Sequence, residues 1–481
     1  MTSIPHFDHM IATDIEIAEP LDVLAPYDLS VIATIDTVDE EAVDKALDIA
    51  YGLFKDKKTW LPAWQRVEIL ERAKRIMEGR VEELAIEAAR EGGKPLVDSR
   101  VEIIRAIDGV QLCIEALRTE AGEEIPMGLT AASVGRLAFT RQEPIGVVVA
   151  VSAFNHPMNL IVHQIGPAIA SGCPVIVKPA GDTPLSCMRF LQIMREAGLP
   201  NEWGQALVTK DNETASKLVT DERVGFFSFI GSAKVGWWLR SQLAAGTRCA
   251  LEHGGAAPVI VHADAELEDA IPLLAKGGFY HAGQVCVSVQ RVFVHSSIAR
   301  QVAEGLHAEA DKMIVGDPTI EGTDIGPLIR PNEVIRISEW VEEAKANGAD
   351  CLCGGKPIND TCYPPTVLFN PSARSKVSTN EIFGPVICIY PFDDISEAIE
   401  KANSLPYAFQ SAVFTKDIDL AMHAYRQLEA SAVMVNDFTA FRVDWMPFAG
   451  LRQSGLGVGG IPHTFKDMQI DKMMVIKSKE L

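Results

Sequence analysis

Three short stretches carry the residue types that covalent chemistry on a carbonyl needs. Cys286 stands in Gly283-Gln284-Val285-Cys286, and a thiol is a useful nucleophile only as its thiolate. Glu252 lies thirty-four residues upstream in Leu251-Glu252-His253-Gly254-Gly255. In an apolar setting such a carboxylate takes a proton from water. Asn155, in Phe154-Asn155-His156-Pro157 after a strong strand signal, offers an amide that can donate to an oxyanion. A nucleophile, a base and an oxyanion donor together point to acyl chemistry through a covalent intermediate.

Four further motifs accompany them: Val177-Lys178-Pro179, Phe229-Ile230-Gly231-Ser232, Glu381-Ile382-Phe383-Gly384-Pro385, and Pro447-Phe448-Ala449-Gly450 followed by Ser454-Gly455. In this order the seven motifs resemble the aldehyde dehydrogenase superfamily over nearly the whole chain. The resemblance implies that Cys286, Glu252 and Asn155 are catalytic. The thiolate adds to the aldehyde, Asn155 and the Cys286 backbone amide hold the oxyanion, hydride leaves for a nicotinamide, and Glu252 activates the water that hydrolyses the thioester. The cofactor is expected to be NAD or NADP, bound through Lys178 (ribose), Gly231 and Ser232 (phosphate), Glu381 (nicotinamide ribose) and Phe383, with Phe154 in place of the Trp more usual in its motif. After Ala180, Gly181 occupies a position where NAD-preferring relatives often have Glu, so the choice between the two cofactors stays open.

Glu252 also favours a free acid over an acyl-coenzyme A product, since relatives that acylate coenzyme A usually lack this base. Coenzyme A acylation and a non-catalytic protein of the same fold remain as alternatives. On the substrate side, Arg105, His156 and Arg442 resemble groups that bind the acidic end of the substrate in the branch containing phosphonoacetaldehyde, lactaldehyde and non-phosphorylating glyceraldehyde-3-phosphate dehydrogenases. Relatives with phosphorus-containing substrates often carry Arg immediately before the nucleophile, where this chain has Val285. A short monoanionic aldehyde is therefore expected, with small neutral or hydroxy aldehydes as the alternative. Pairing of Arg105 with Glu102 or Asp108, or of Arg442 with Asp444, would instead make these arginines structural.

The elements that must position these residues are of α/β type. Short β-rich runs (146–151, 174–177, 205–208, 225–229, 248–251, 258–261) alternate with helical patterns, as in a parallel sheet covered on both faces. Asn155, Lys178, Ser232 and Glu252 each follow a strand, at the carboxyl ends where nucleotide cofactors bind. Thr183, Pro184, Gly198 and Pro200 punctuate one helix, with Thr183 as its cap. Three N-terminal helices are expected at about 39–55, 63–91 and 98–118, after irregular chain. Gly455-Leu456-Gly457-Val458-Gly459-Gly460 spells a dinucleotide fingerprint, but no clear strand precedes it and only 21 residues follow. It reads as a flexible turn.

The resemblance implies an aldehyde dehydrogenase-like fold in three parts: a Rossmann-like cofactor domain (1–121 and 144–252), an α/β catalytic domain (253–461) and a strand-built oligomerisation arm (122–143 and 462–481). A homodimer or homotetramer is expected. With 44 Lys plus Arg against 65 Asp plus Glu the net charge is −21, which argues against nucleic acid as a partner. No stretch has membrane-spanning length. Nine scattered cysteines and no signal peptide suit a reducing, cytoplasmic setting. Cys351 and Cys353 lack the further ligands a metal site requires, and no metal is expected.

Overall fold

Continuous Val-rich runs bury both faces of a strand, and the chain uses them to build two parallel sheets. The structure, a computed structural model, describes residues 4–481. The first sheet has six strands in the order Gly455–Leu456, Arg248–Glu252, Val224–Ile230, Val147–Val151, Val175–Lys178 and Gly204–Ala206. Only Gly455–Leu456 runs antiparallel, against Arg248–Glu252. Registers pair Val151 with Lys178, Phe229 with Val151 and Ile230 with Glu252. Lys178 and Glu252 thus reach one carboxyl edge, although 73 residues of chain separate them.

The second sheet has seven strands in the order Asp350–Cys353, Thr366–Phe369, Val386–Phe392, Arg291–His295, Pro258–Val261, Gln410–Phe414 and Ala432–Val435. It is parallel except for the Asp350–Cys353 edge. A third sheet pairs Gln469–Lys477 with Arg136–Pro144 in antiparallel register, with Glu124–Ile125 beside it. Met473, Met474, Val475 and Ile476 are exposed there.

Helices α1 (Glu40–Lys55), α2 (Ala63–Glu78), α3 (Val81–Gly92) and α4 (Leu96–Thr119) precede the first sheet. The segment expected as one helix over 63–91 is two, because the chain breaks at Gly79-Arg80. Nor is the N-terminal chain irregular: His6–Phe7, Val31–Ile35 and Leu21–Leu24 form a small sheet. The run expected at 205–208 is also divided. Gly204–Ala206 stays in the first sheet, while Val208–Thr209 pairs with Thr37–Val38. Pro258–Val261 lies in the second sheet rather than continuing the first.

Helices α5 (Asn159–Ser171) and α6 (Leu185–Glu196) follow the Asn155 and Lys178 motifs. Thr183 does not cap α6, and its hydroxyl is buried without a partner. The cap comes from α3: Glu91 accepts the backbone N–H of Leu185 and Ser186 at 2.8 Å each, and the Ser186 hydroxyl as well. The glycine-rich run at 455–460 is no flexible turn, since Gly455–Leu456 is a strand and Gly459 abuts the Glu252 carboxylate. Residues 462–467, expected in the strand arm, belong to the helix Ile461–Asp467, whose Ile461 and Phe465 are buried in the same core as α4 and α5.

Candidate active site

The thiol sits on a loop whose backbone is forced. His281 (φ 48°), Ala282 (φ 52°) and Gly283 (φ 69°) are consecutively left-handed, a conformation that costs a non-glycine residue about 1–2 kcal/mol. At Gly283 a Cβ would collide with the Gly384 carbonyl. Gln284 secures the loop: its Nε2 donates to the carbonyls of His281 and Pro327 at 3.3 Å, and its Oε1 accepts the Ile329 N–H at 2.9 Å. Two residues later comes Cys286, half-buried and unbridged.

Asn155 is tied to that loop. Its Nδ2 donates to the Gln284 carbonyl at 2.9 Å. One amide proton is thereby used for orientation, and the other remains for an acceptor. Glu252 ends its strand against Gly459, and its carboxylate makes no hydrogen bond among the described residues. Burial raises its pKa, opposed by the nearby Arg442 guanidinium. Burial also pushes the Cys286 thiol up to about 12; Arg442 opposes this, and Glu252 and Glu381 reinforce it. The resting thiol is therefore protonated, beside a carboxyl group that burial has made more basic.

Cys286, Glu252 and Asn155 line one cleft of about 1450 Å³, which also contains every cofactor and substrate residue selected from the sequence. At one end Lys178 has a pKa lowered by burial, against the pull of Asp182. Ala180 is half-buried beside it, and Gly181 faces open space. Ser232 stands at the N-terminal end of the helix Ala233–Ser241 without spending its hydroxyl on a cap. Gly231 packs closely on the Phe229 ring. Glu381 accepts the Gly255 N–H at 3.0 Å and lies against Gly254. Burial brings its pKa up to about 7, with the Gly255 hydrogen bond and Arg336 opposing. Phe383 (φ 49°) meets Phe154 edge-on at 5.8 Å.

At the other end the three substrate-side residues occupy different states. Arg105 pairs with neither Glu102 nor Asp108. It grips Asp444 at two points, Nη2 to Oδ1 at 2.7 Å and Nε to Oδ2 at 3.0 Å. Glu102 is already held by Lys94 and by the N–H groups of Met158 and Asn159 at 2.9 Å each. His156 is buried, which drives its pKa well below the usual range, and its Nε2 lies 3.4 Å from the Tyr280 hydroxyl. Arg442 makes no ion pair with Asp444. Its guanidinium stacks 3.6 Å from the Phe448 ring centroid, and Nε and Nη2 are buried without partners.

Sequence reasoning missed the positioning role of Gln284, although it is in the quoted motif, and the cleft-lining Tyr280. Asp444 was weighed only as a partner for its neighbour Arg442. Its link to α4 spans 339 residues, and no local signal carries it.

Residues 14–474 match the sequence model of the Aldehyde dehydrogenase family. The chain is 39% identical over 460 residues to 3-sulfolactaldehyde dehydrogenase of Priestia aryabhattai, covering 95% of both proteins. It is 36% identical to lactaldehyde dehydrogenase of Methanocaldococcus jannaschii, covering 95% of this chain and 97% of that one. Among solved structures, aldehyde dehydrogenase 21 from Physcomitrella patens, in complex with the reaction product succinate, superposes with a TM-score of 0.94 at 34% identity over 99% of each chain. Glyceraldehyde-3-phosphate dehydrogenase from Methanocaldococcus jannaschii, complexed with NADP, gives 0.91 at 36% identity, covering 96% of this chain and all of that one. This chain belongs to the aldehyde dehydrogenase family, a family of oxidoreductases. No described helix is long and apolar enough to cross a membrane.

Proposed function

We propose that the protein oxidises a short anionic aldehyde to its carboxylic acid with NAD or NADP, using Cys286, Glu252 and Asn155 as catalytic residues. The observation that carries this reading is the convergence of the three on one cleft, with the Asn155 amide tied to the main chain two residues before the thiol. The cleft fits a dinucleotide. Lys178 is half-buried at a strand end without an ion-pair partner among the described residues, the Ser232 hydroxyl and the first amides of its helix are free for phosphate, and Gly181 leaves open space. When bound, the nicotinamide takes up the hydride.

The rest is done by this chain's own groups. The Cys286 thiol loses its proton to solvent, and its sulfur bonds to the aldehyde carbon. The oxygen becomes an oxyanion that accepts hydrogen bonds from the second Asn155 amide proton and the Cys286 N–H. Loss of hydride with its electron pair leaves a thioester. Water, deprotonated by Glu252, then adds to the thioester, the carbon–sulfur bond breaks, the departing sulfur takes the proton back from Glu252, and the acid leaves. Arg442, with unsatisfied donors in the cleft wall, would hold the acidic end of the substrate. The sulfonate-bearing aldehyde in the name of the 39%-identical relatives has the single charge that this reading expects.

Assigning 1–121 and 144–252 to cofactor binding, 253–461 to catalysis and the third sheet to self-association is part of the same proposal. Its test is stopped-flow and steady-state kinetics on two variants. Cys286→Ala should abolish turnover. Glu252→Gln should release a burst of reduced cofactor near one per site and then stall, and full steady turnover in that variant would remove Glu252 from deacylation.

A further inference from the structure

We propose that Asp444 sets the charge of the substrate pocket: by holding Arg105 through Nε and Nη2, it leaves Arg442 as the guanidinium without an ion-pair partner and makes the site select aldehydes with one negative charge over those with two. This rests on the anionic-substrate reading above.

The charges at this end of the cleft nearly cancel. Buried Lys94 is paired with buried Glu102. His156 is neutral, since burial depresses its pKa. Asp98, half-buried in the cleft wall with its pKa raised to about 6 by burial, stands under the influence of Lys94 and Lys276. Arg105, which the sequence marks as a second anion-binding group, is neutralised by Asp444 through both Nε and Nη2.

Asp444 is built for this role. It is 2% exposed, and its Oδ1 also meets His163 Nε2 at 2.8 Å and Asn159 Nδ2 at 3.2 Å. Although burial disfavours its charge, the contacts with His163 and Arg105 hold its carboxyl far below the usual range, so it stays ionised. Arg442, two residues before it, is the cation left with buried donors unmet. A dianion would meet one free guanidinium together with the carboxyl of Glu252, which lies close to it. The second charge has no second free guanidinium to pair with unless Asp444 releases Arg105, and Lys276, the other cation of this wall, stands in the field of Asp98.

Asp444 is therefore a positioning residue, and its signature is a selectivity ratio rather than a loss of rate. The probes are three-carbon aldehydes ending in sulfonate, phosphonate or hydroxyl, assayed at saturating cofactor, fixed ionic strength and a pH at which the phosphonate is doubly ionised. The wild type should show a KM for sulfonate at least tenfold below that for phosphonate. In Asp444→Asn the ratio should narrow or reverse by about tenfold, one charge-assisted contact. The change should fall in the phosphonate KM rather than in kcat. The double variant Arg105→Met with Asp444→Asn removes the pair without changing net charge and should restore the wild-type ratio.

An unchanged ratio in folded Asp444→Asn overturns the proposal, as does a double variant that behaves like the single one. If Asp444→Asn does not fold, the double variant decides alone: a ratio kept near wild type supports charge cancellation, and one shifted tenfold refutes it. Equal wild-type KM values for all three aldehydes would instead overturn the anionic reading itself.

Discussion

At the scale of single residues, Cys286 and Glu252 share one field. Burial lifts both pKa values, and the Glu252 charge further disfavours ionisation of the thiol. The thiol of the free enzyme, at about 12, lies well above neutral pH, so at any pH below that value its thiolate fraction rises about tenfold with each unit that pH is raised. Alkylation of Cys286 by iodoacetamide in the absence of cofactor should therefore rise about tenfold per unit between pH 7 and 10. Removing the Glu252 charge withdraws one of the influences that raise the thiol pKa. Glu252→Gln should thus alkylate faster than wild type at equal pH while turning over more slowly. Mass spectrometry of the labelled cysteine resolves both quantities; slower labelling of the variant, or a wild-type plateau near pH 7, would contradict this field. Cys286, Glu252 and Asn155 were all legible as residue types in motifs. The direction of each pKa was not, because it depends on burial that no local stretch encodes.

The elements show where local reading succeeds and where it stops. Strand positions followed from Val-rich runs, since burial on both faces leaves a mark on composition. Caps and breaks were less visible. Thr183 is a suitable N-cap by type, yet the amides that open α6 go to Glu91, supplied by α3 from more than ninety residues away. Burial holds the Glu91 carboxyl up to about 8 despite the Ser186 contacts. Glu91→Ala should leave two buried N–H groups and a hydroxyl unpaired. A loss of about 1–2 kcal/mol in urea denaturation is expected, whereas Thr183→Val should cost far less because the Thr183 hydroxyl already lacks a partner. Equal losses in the two variants would return the cap to Thr183.

For the whole molecule, the third sheet leaves the strand Gln469–Lys477 with a row of exposed apolar side chains, among them Met473 at 55% and Met474 at 54%. Such a strand at a sheet edge invites pairing with another chain. We expect a homo-oligomer and a smaller solution mass when residues 469–481 are deleted, measured by light scattering. The cut must begin after the helix Ile461–Asp467, because Ile461 and Phe465 are part of the main core and their removal would unfold rather than dissociate. An unchanged mass after the shorter deletion would place the interface elsewhere.

The family, the α/β class and the residue types of the proposed chemistry could be read from the chain alone, because each is written in short stretches: a thiol in its loop, a carboxylate at a strand end, an apolar run of strand length. Tertiary structure alone decided which charges cancel. The sequence offers Arg105 and Arg442 as equivalent cations, and three acids stand near them in sequence: Glu102, Asp108 and Asp444. Folding brings Asp444 to Arg105 rather than to its neighbour, and sets Arg442 on the Phe448 ring. Ion pairing falls off over a few ångströms of space, and the distance between α4 and residue 444 exists only once the chain is folded.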